Sequence, residues 1–113
     1  MANEIASGII TGTGANIDIK CGFIPAKVEI YNWGSATKET LEWVRGMPNA
    51  SGIKTVAGTV ARTYITSNGI TTLGETDGST VEQGFRVGPD TDINVSVEKF
   101  TWFAYRGGEG NQF

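Results

Sequence analysis

The residues best placed to do chemistry are the carboxylates. Asp90-Thr91-Asp92-Ile93-Asn94 begins like a calcium-binding loop, with an oxygen-bearing side chain at every second position. Such a loop also needs glycine at its sixth position and a carboxylate at its twelfth, where this chain has Val95 and Thr101. The segment therefore reads as a turn feeding a strand. Glu75, Asp77 and Glu82 form a second acidic group. Two carboxylates held apart in a cleft could hydrolyse a glycosidic bond. A Gly-rich loop does not fix that separation, so a solvated loop is the expectation. Gly12-Thr13-Gly14 and Gly107-Gly108 lack the Gly-Lys-Ser/Thr that makes a phosphate loop. Histidine is absent, which removes the commonest general base, the Ser-His and Cys-His nucleophile pairs and the usual zinc ligand. Cys21 is the sole cysteine and can make no intrachain disulfide. Lying in an alternating segment, it reads as a small buried hydrophobe. The expectation is a chain that is not an enzyme, with no catalytic residue, no metal and no cofactor.

The elements that hold these residues read as strands. The chain has 113 residues, 39% hydrophobic and 19% charged, within the size of one globular domain. No apolar run approaches the ~20 residues that cross a bilayer, and no basic start precedes one. A soluble chain made in the cytoplasm, away from membranes, is expected. Net charge is −3 with scattered Lys and Arg, which argues against nucleic acid as a partner. Sixteen glycines and three prolines punctuate short apolar runs, the pattern of a sandwich or barrel. Ile17, Ile19 and Cys21 alternate with polar residues, as do Val28 with Ile30, Leu41 with Trp43, and Ile93 with Val95 and Val97. Short strands are expected at Ile53 to Val56, Arg62 to Thr66 and around Phe85. Asn68-Gly69 signals a tight hairpin turn returning into Ile70 to Leu73. No helical period is sustained. The expected organisation is an N-terminal arm at 1–8, a β domain at 9–106 and a tail at 107–113.

Aromatic residues are the remaining functional signal. Trp33, Trp43, Trp102, Tyr31, Tyr64 and Tyr105 could fill a β core, form a sugar-binding platform or meet another protein. The last apolar run puts Phe100, Trp102 and Ala104 on one face and Phe103 and Tyr105 on the other. A strand apolar on both faces is central in a covered sheet or covered by a partner chain. Phe103, Tyr105 and Trp33 are accordingly the candidate subunit-interface residues. Met1, Ala2, Asn3, Glu4 and Phe113 join them as terminal arms that could order on a neighbour.

Gly22-Phe23-Ile24-Pro25 leads into Val28-Glu29-Ile30-Tyr31-Asn32, followed by Leu41-Glu42-Trp43 and Gly46-Met47. Thr66-Ser67-Asn68-Gly69-Ile70-Thr71 comes next, then Gly84-Phe85-Arg86-Val87-Gly88 with Asp90, Asp92, Ile93 and Asn94. Thr101-Trp102-Phe103-Ala104-Tyr105-Arg106 closes the set. In this order, over residues 12 to 106, the chain resembles the capsid decoration, or cement, proteins of tailed bacteriophages. The resemblance implies an all-β, single-domain antiparallel β-sandwich of jelly-roll type with about eight strands. It implies a virion protein on the outer capsid surface that binds the major capsid protein and itself, as a dimer or trimer. It carries no catalytic residues. A phage tail-fibre or baseplate adhesin domain binding a host glycan is the alternative, because related sandwiches serve both roles.

Overall fold

The computed structural model describes residues 5–35, 38–56, 61–74 and 82–106. Eight strands run through them: β1 (Ile5–Thr11), β2 (Ile17–Lys20), β3 (Lys27–Tyr31), β4 (Thr40–Val44), β5 (Ser51–Val56), β6 (Ala61–Leu73), β7 (Gly84–Val87) and β8 (Lys99–Tyr105). The all-β class and the strand number match the sequence reading. Every pairing is antiparallel, and the strands join one sheet in the order β1-β8-β3-β4-β5-β6-β7-β2.

This order forces the sheet to curl. β1 and β2 are consecutive in the chain yet occupy opposite edges. In a flat sheet they would stand about 34 Å apart, at about 4.8 Å per strand. The link at 12–16 spans at most about 20 Å fully extended. A second observation agrees. Phe85 on β7 and Trp102 on β8 lie five strand positions apart, but their rings meet edge to face with centroids 5.5 Å apart. The two ends of the sheet therefore face each other across a concave interior.

The alternation of residue types fills that interior. Val28, Ile30, Leu41, Trp43, Ile70, Phe85, Val87, Phe100, Trp102 and Ala104 point inward and are buried. The segment between β7 and β8 adds Ile93 to the same core. It is held by buried polar groups. The Asp90 carboxylate accepts the N–H groups of Asp92 (2.8 Å) and Ile93 (3.2 Å). It also meets the Lys54 ammonium of β5 at 3.0 Å, and the Asp92 carboxylate meets the same ammonium at 2.8 Å. The Asn94 side chain accepts from Thr13 N–H and donates to the carbonyls of Ala15 and Gly88.

Three sequence expectations need correction. Residues 92–97 are turns, not a strand. The Asp90 carboxylate takes the N–H groups of Asp92 and Ile93, and the Asn32 amide donates to the carbonyls of the same two residues, so these groups are not left for a ladder. Second, Asn68-Gly69 makes no hairpin. β6 runs unbroken through it as a bulge, where the pairing with β5 jumps from Gly52↔Ile65 to Ser51↔Ile70. A type I′ turn needs positive φ at both central residues, and of these two only Asn68 has it, at 64°. Gly69 instead lets the Ser51 backbone approach so closely that a Cβ would overlap it. Third, β1 begins at Ile5, so residues 5–8 of the expected arm are strand. Residues 1–4 and 107–113 lie outside the described residues.

Candidate functional site

The convex side of the sheet is the candidate site. The same alternation that buries Phe100, Trp102 and Ala104 turns Thr101, Phe103 and Tyr105 outward. The registers place Ile5, Ser7 and Ile9 of β1 beside them on one side and Lys27, Glu29 and Tyr31 of β3 on the other. Val44 and Glu42 of β4, then Ile53 of β5 and Tyr64 of β6, continue the face. Ile5, Ile9 and Tyr64 are each more than half exposed. Among the described residues, no second layer packs on this side. Apolar side chains exposed together on one sheet face make this side a candidate interaction surface.

Its geometry is set by specific contacts. Phe103 meets Tyr31 edge to face at 5.9 Å. The Trp33 indole N–H donates to the Thr101 hydroxyl at 2.8 Å, which holds the ring against β8 while leaving it 46% exposed. Glu29 and Glu42 sit directly opposite each other on β3 and β4, an unfavourable like-charge pair. Each carboxylate is neutralised locally. Glu29 accepts from Tyr105 OH at 2.8 Å and meets Lys27 at 3.1 Å, and Glu42 meets Arg62 at 2.8 Å. The Lys27 ammonium also lies 5.6 Å from the Tyr105 ring centroid. The face is thus apolar and aromatic with its charges already paired, which suits protein contact better than charged ligands.

The Tyr105–Glu29 bond gives a measurable signature. The hydrogen bond to Glu29, with burial and the Glu29 charge adding to it, pushes the Tyr105 hydroxyl up to about 12. Burial works to raise the Glu29 carboxyl, but hydrogen bonds from Tyr105 and Lys27 outweigh it and hold it below the ordinary value. The raised tyrosine stabilises the fold fully below about pH 10, where an unfolded tyrosine ionises, and that contribution is lost as pH rises towards about 12. Ultraviolet titration of tyrosinate should therefore show a late phase near pH 12, and Tyr105→Phe should remove that component, leaving the smaller upward displacement of Tyr31 caused by its burial and by Glu29. A single phase near pH 10 in the wild-type protein would show that the bond is not made in solution.

The other sequence candidates lie elsewhere. Asp90 and Asp92 hold Lys54, and Glu82 pairs with Lys20 at 3.0 Å. Glu75 and Asp77 lie outside the described residues, as do the proposed interface residues Met1, Ala2, Asn3, Glu4 and Phe113. No three His, Cys, Asp or Glu among the described residues come together to hold a metal. Cys21 is half-buried against the core, and burial pushes its thiol pKa up. Phe103, Tyr105 and Trp33 do fall on one face. Sequence reasoning missed Ile5 and Ile9, although Ile5-Ser7-Ile9-Thr11 already alternates with Ala6-Gly8-Ile10. Comparison with family models, curated proteins and solved structures gives no match.

Proposed function

We propose that this chain is a capsid decoration protein that lies on the outer surface of a phage head and stabilises contacts between major capsid subunits. The observation that carries the reading is the uncovered apolar convex face around Phe103, Tyr105, Tyr31 and Trp33. Cementing requires a rigid body that buries apolar surface across a boundary, and a sheet packed around one core supplies such a body. The resemblance over residues 12 to 106 adds the capsid as the partner and a jelly-roll as the form of the fold.

The test is to incubate purified protein with expanded shells that lack it. Binding and a higher disruption temperature of the shells are expected. Phe103→Asp, which puts a charge on the convex face and leaves the core intact, should weaken binding at least about tenfold. A wild-type protein that neither binds nor protects shells would overturn the proposal.

One observation favours a glycan-binding adhesin as a second reading. Half-exposed Trp33 borders an open cavity of about 170 Å³ with Tyr31, Asn32, Lys38, Glu39 and Thr40. Sugar binding there would change Trp33 fluorescence on titration with host polysaccharide, whereas the capsid reading expects no change.

A further inference from the structure

The free edge of the sheet at β1 is built to pair with itself. In an antiparallel ladder, alternate residues exchange N–H···O bonds with one neighbour and the rest point the other way. Gly12 N–H donates to Glu98 O at 2.7 Å, in the β1–β8 register, so Ala6, Gly8 and Ile10 are the β1 residues that bond to β8. The phase is the same when counted from the opposite side. Asn32 N–H donates to Glu39 O at 2.8 Å, which turns the bonding groups of Lys27, Glu29 and Tyr31 towards β8 and those of Phe100, Trp102 and Ala104 towards β1. The backbone N–H and C=O groups of Ile5, Ser7, Ile9 and Thr11 therefore point away from the sheet. None meets a partner among the described residues.

Proteins blunt such edges with charges, prolines or short strands. The opposite edge, β2, is guarded in this way: it has four residues, with Asp18 and Lys20 among them. β1 has seven residues, Ile-Ala-Ser-Gly-Ile-Ile-Thr, with no charge and no proline.

We infer that two copies of the chain join through antiparallel pairing of β1 with β1 about a two-fold axis at Gly8. In this register Ile5 lies opposite Thr11 of the partner subunit, and Ser7 opposite Ile9 of the partner subunit. Every outward-pointing bonding residue then meets another, and the whole strand overlaps. No like charges face each other. The two glycines at the axis form a non-hydrogen-bonded pair, the closer type, with Cα atoms about 4.5 Å apart. Such a contact is isologous and closes as a dimer without exposing a new edge. It also makes the convex apolar faces continuous through Ile5, Ile9 and Phe103. A second copy of β1 matches this edge in hydrogen-bond phase, length and lack of charge at once.

The inference rests on the β1 edge and not on the capsid reading, and its test needs no shells, so either can fail alone. The purified 113-residue chain should sediment at twice its 12.0 kDa mass at micromolar concentration. Ser7→Lys/Ile9→Lys puts charges opposite each other across the axis on the exposed side and should give a monomer. Ser7→Glu/Ile9→Glu should do the same. Mixing the two should restore a dimer, because each introduced lysine then meets an introduced glutamate. Ser7→Pro removes one edge N–H that the single chain does not use, and should also give a folded monomer by circular dichroism. A wild-type monomer at the highest concentration reached would overturn the inference. So would a dimer that survives the charged pairs, because that dimer must use another surface.

Discussion

Phe85→Ala is expected to remove about 3–5 kcal/mol of folding stability. Phe85 is fully buried, and its ring closes the concave interior by meeting Trp102 from the far side of the sheet. Ile19 and Thr72 flank it in the ladders of β2 and β6, so the backbone has little freedom to collapse into the gap. A domain of this size has only about 5–15 kcal/mol in total, so the variant should unfold at much lower urea concentration. Phe85→Leu keeps most of the apolar volume and loses mainly the ring contact, worth about 0.5–1.5 kcal/mol. Urea denaturation of the three proteins gives the comparison. A loss below about 1 kcal/mol for Phe85→Ala would mean that β7 and β8 do not meet across the interior.

Lys54→Met is expected to cost about 3 kcal/mol, for a different reason. The Lys54 ammonium lies between Asp90 and Asp92 and is itself largely buried. Burial works to lower its pKa, but hydrogen bonds to Asp92 and Asp90 outweigh it and hold the pKa above the ordinary value. A lysine with a raised folded pKa adds stability that is fully present below its unfolded pKa of about 10.4 and is lost as pH rises through the folded value. The triad should therefore be intact at neutral pH. Removing the cation strands the Asp90 carboxylate inside the molecule with only backbone N–H groups for company. The variant Lys54→Met/Asp90→Asn takes away the stranded charge as well. It should recover more than half of the loss, which a double-mutant cycle in urea measures. Additive losses would show that the two groups do not interact.

These two sites also show where the sequence could be read and where it could not. The alternation in Lys99 to Tyr105 is enough to separate Phe100, Trp102 and Ala104 from Phe103 and Tyr105, because successive side chains of a strand take opposite faces. That Phe85 meets Trp102 is not written in either strand. It follows from the order of the strands in the sheet, which depends on hydrogen bonds between residues far apart in the chain. Asp90 and Asp92 look like cation ligands in the sequence, and a cation does hold them. It is the ammonium of Lys54, whose own alternating segment gives no sign of its partner.

The sequence pattern misled where side chains or a distant backbone competed with it. Ile93, Val95 and Val97 alternate as a strand would, yet the Asp90 carboxylate and the Asn32 amide capture the backbone N–H and C=O groups of Asp92 and Ile93 that a ladder would need. Asn68-Gly69 has hairpin residues, but the Ser51 backbone fills the space beside Gly69 and β6 continues past it.

What the sequence determined by itself was the β class, most of the strands and which side chains share a face, because these depend on a period of two along the chain. The absence of histidine and the failures of the calcium and phosphate motifs were equally plain there. Only the tertiary structure decided that the sheet curls, that the segment from 88 to 98 adds Ile93 to its core, and that β1 stands at an edge where the backbone groups of Ile5, Ser7, Ile9 and Thr11 meet no partner among the described residues. Those features depend on which strands become neighbours, and the residues that make them neighbours lie up to a hundred positions apart, as Ile5 and Tyr105 do.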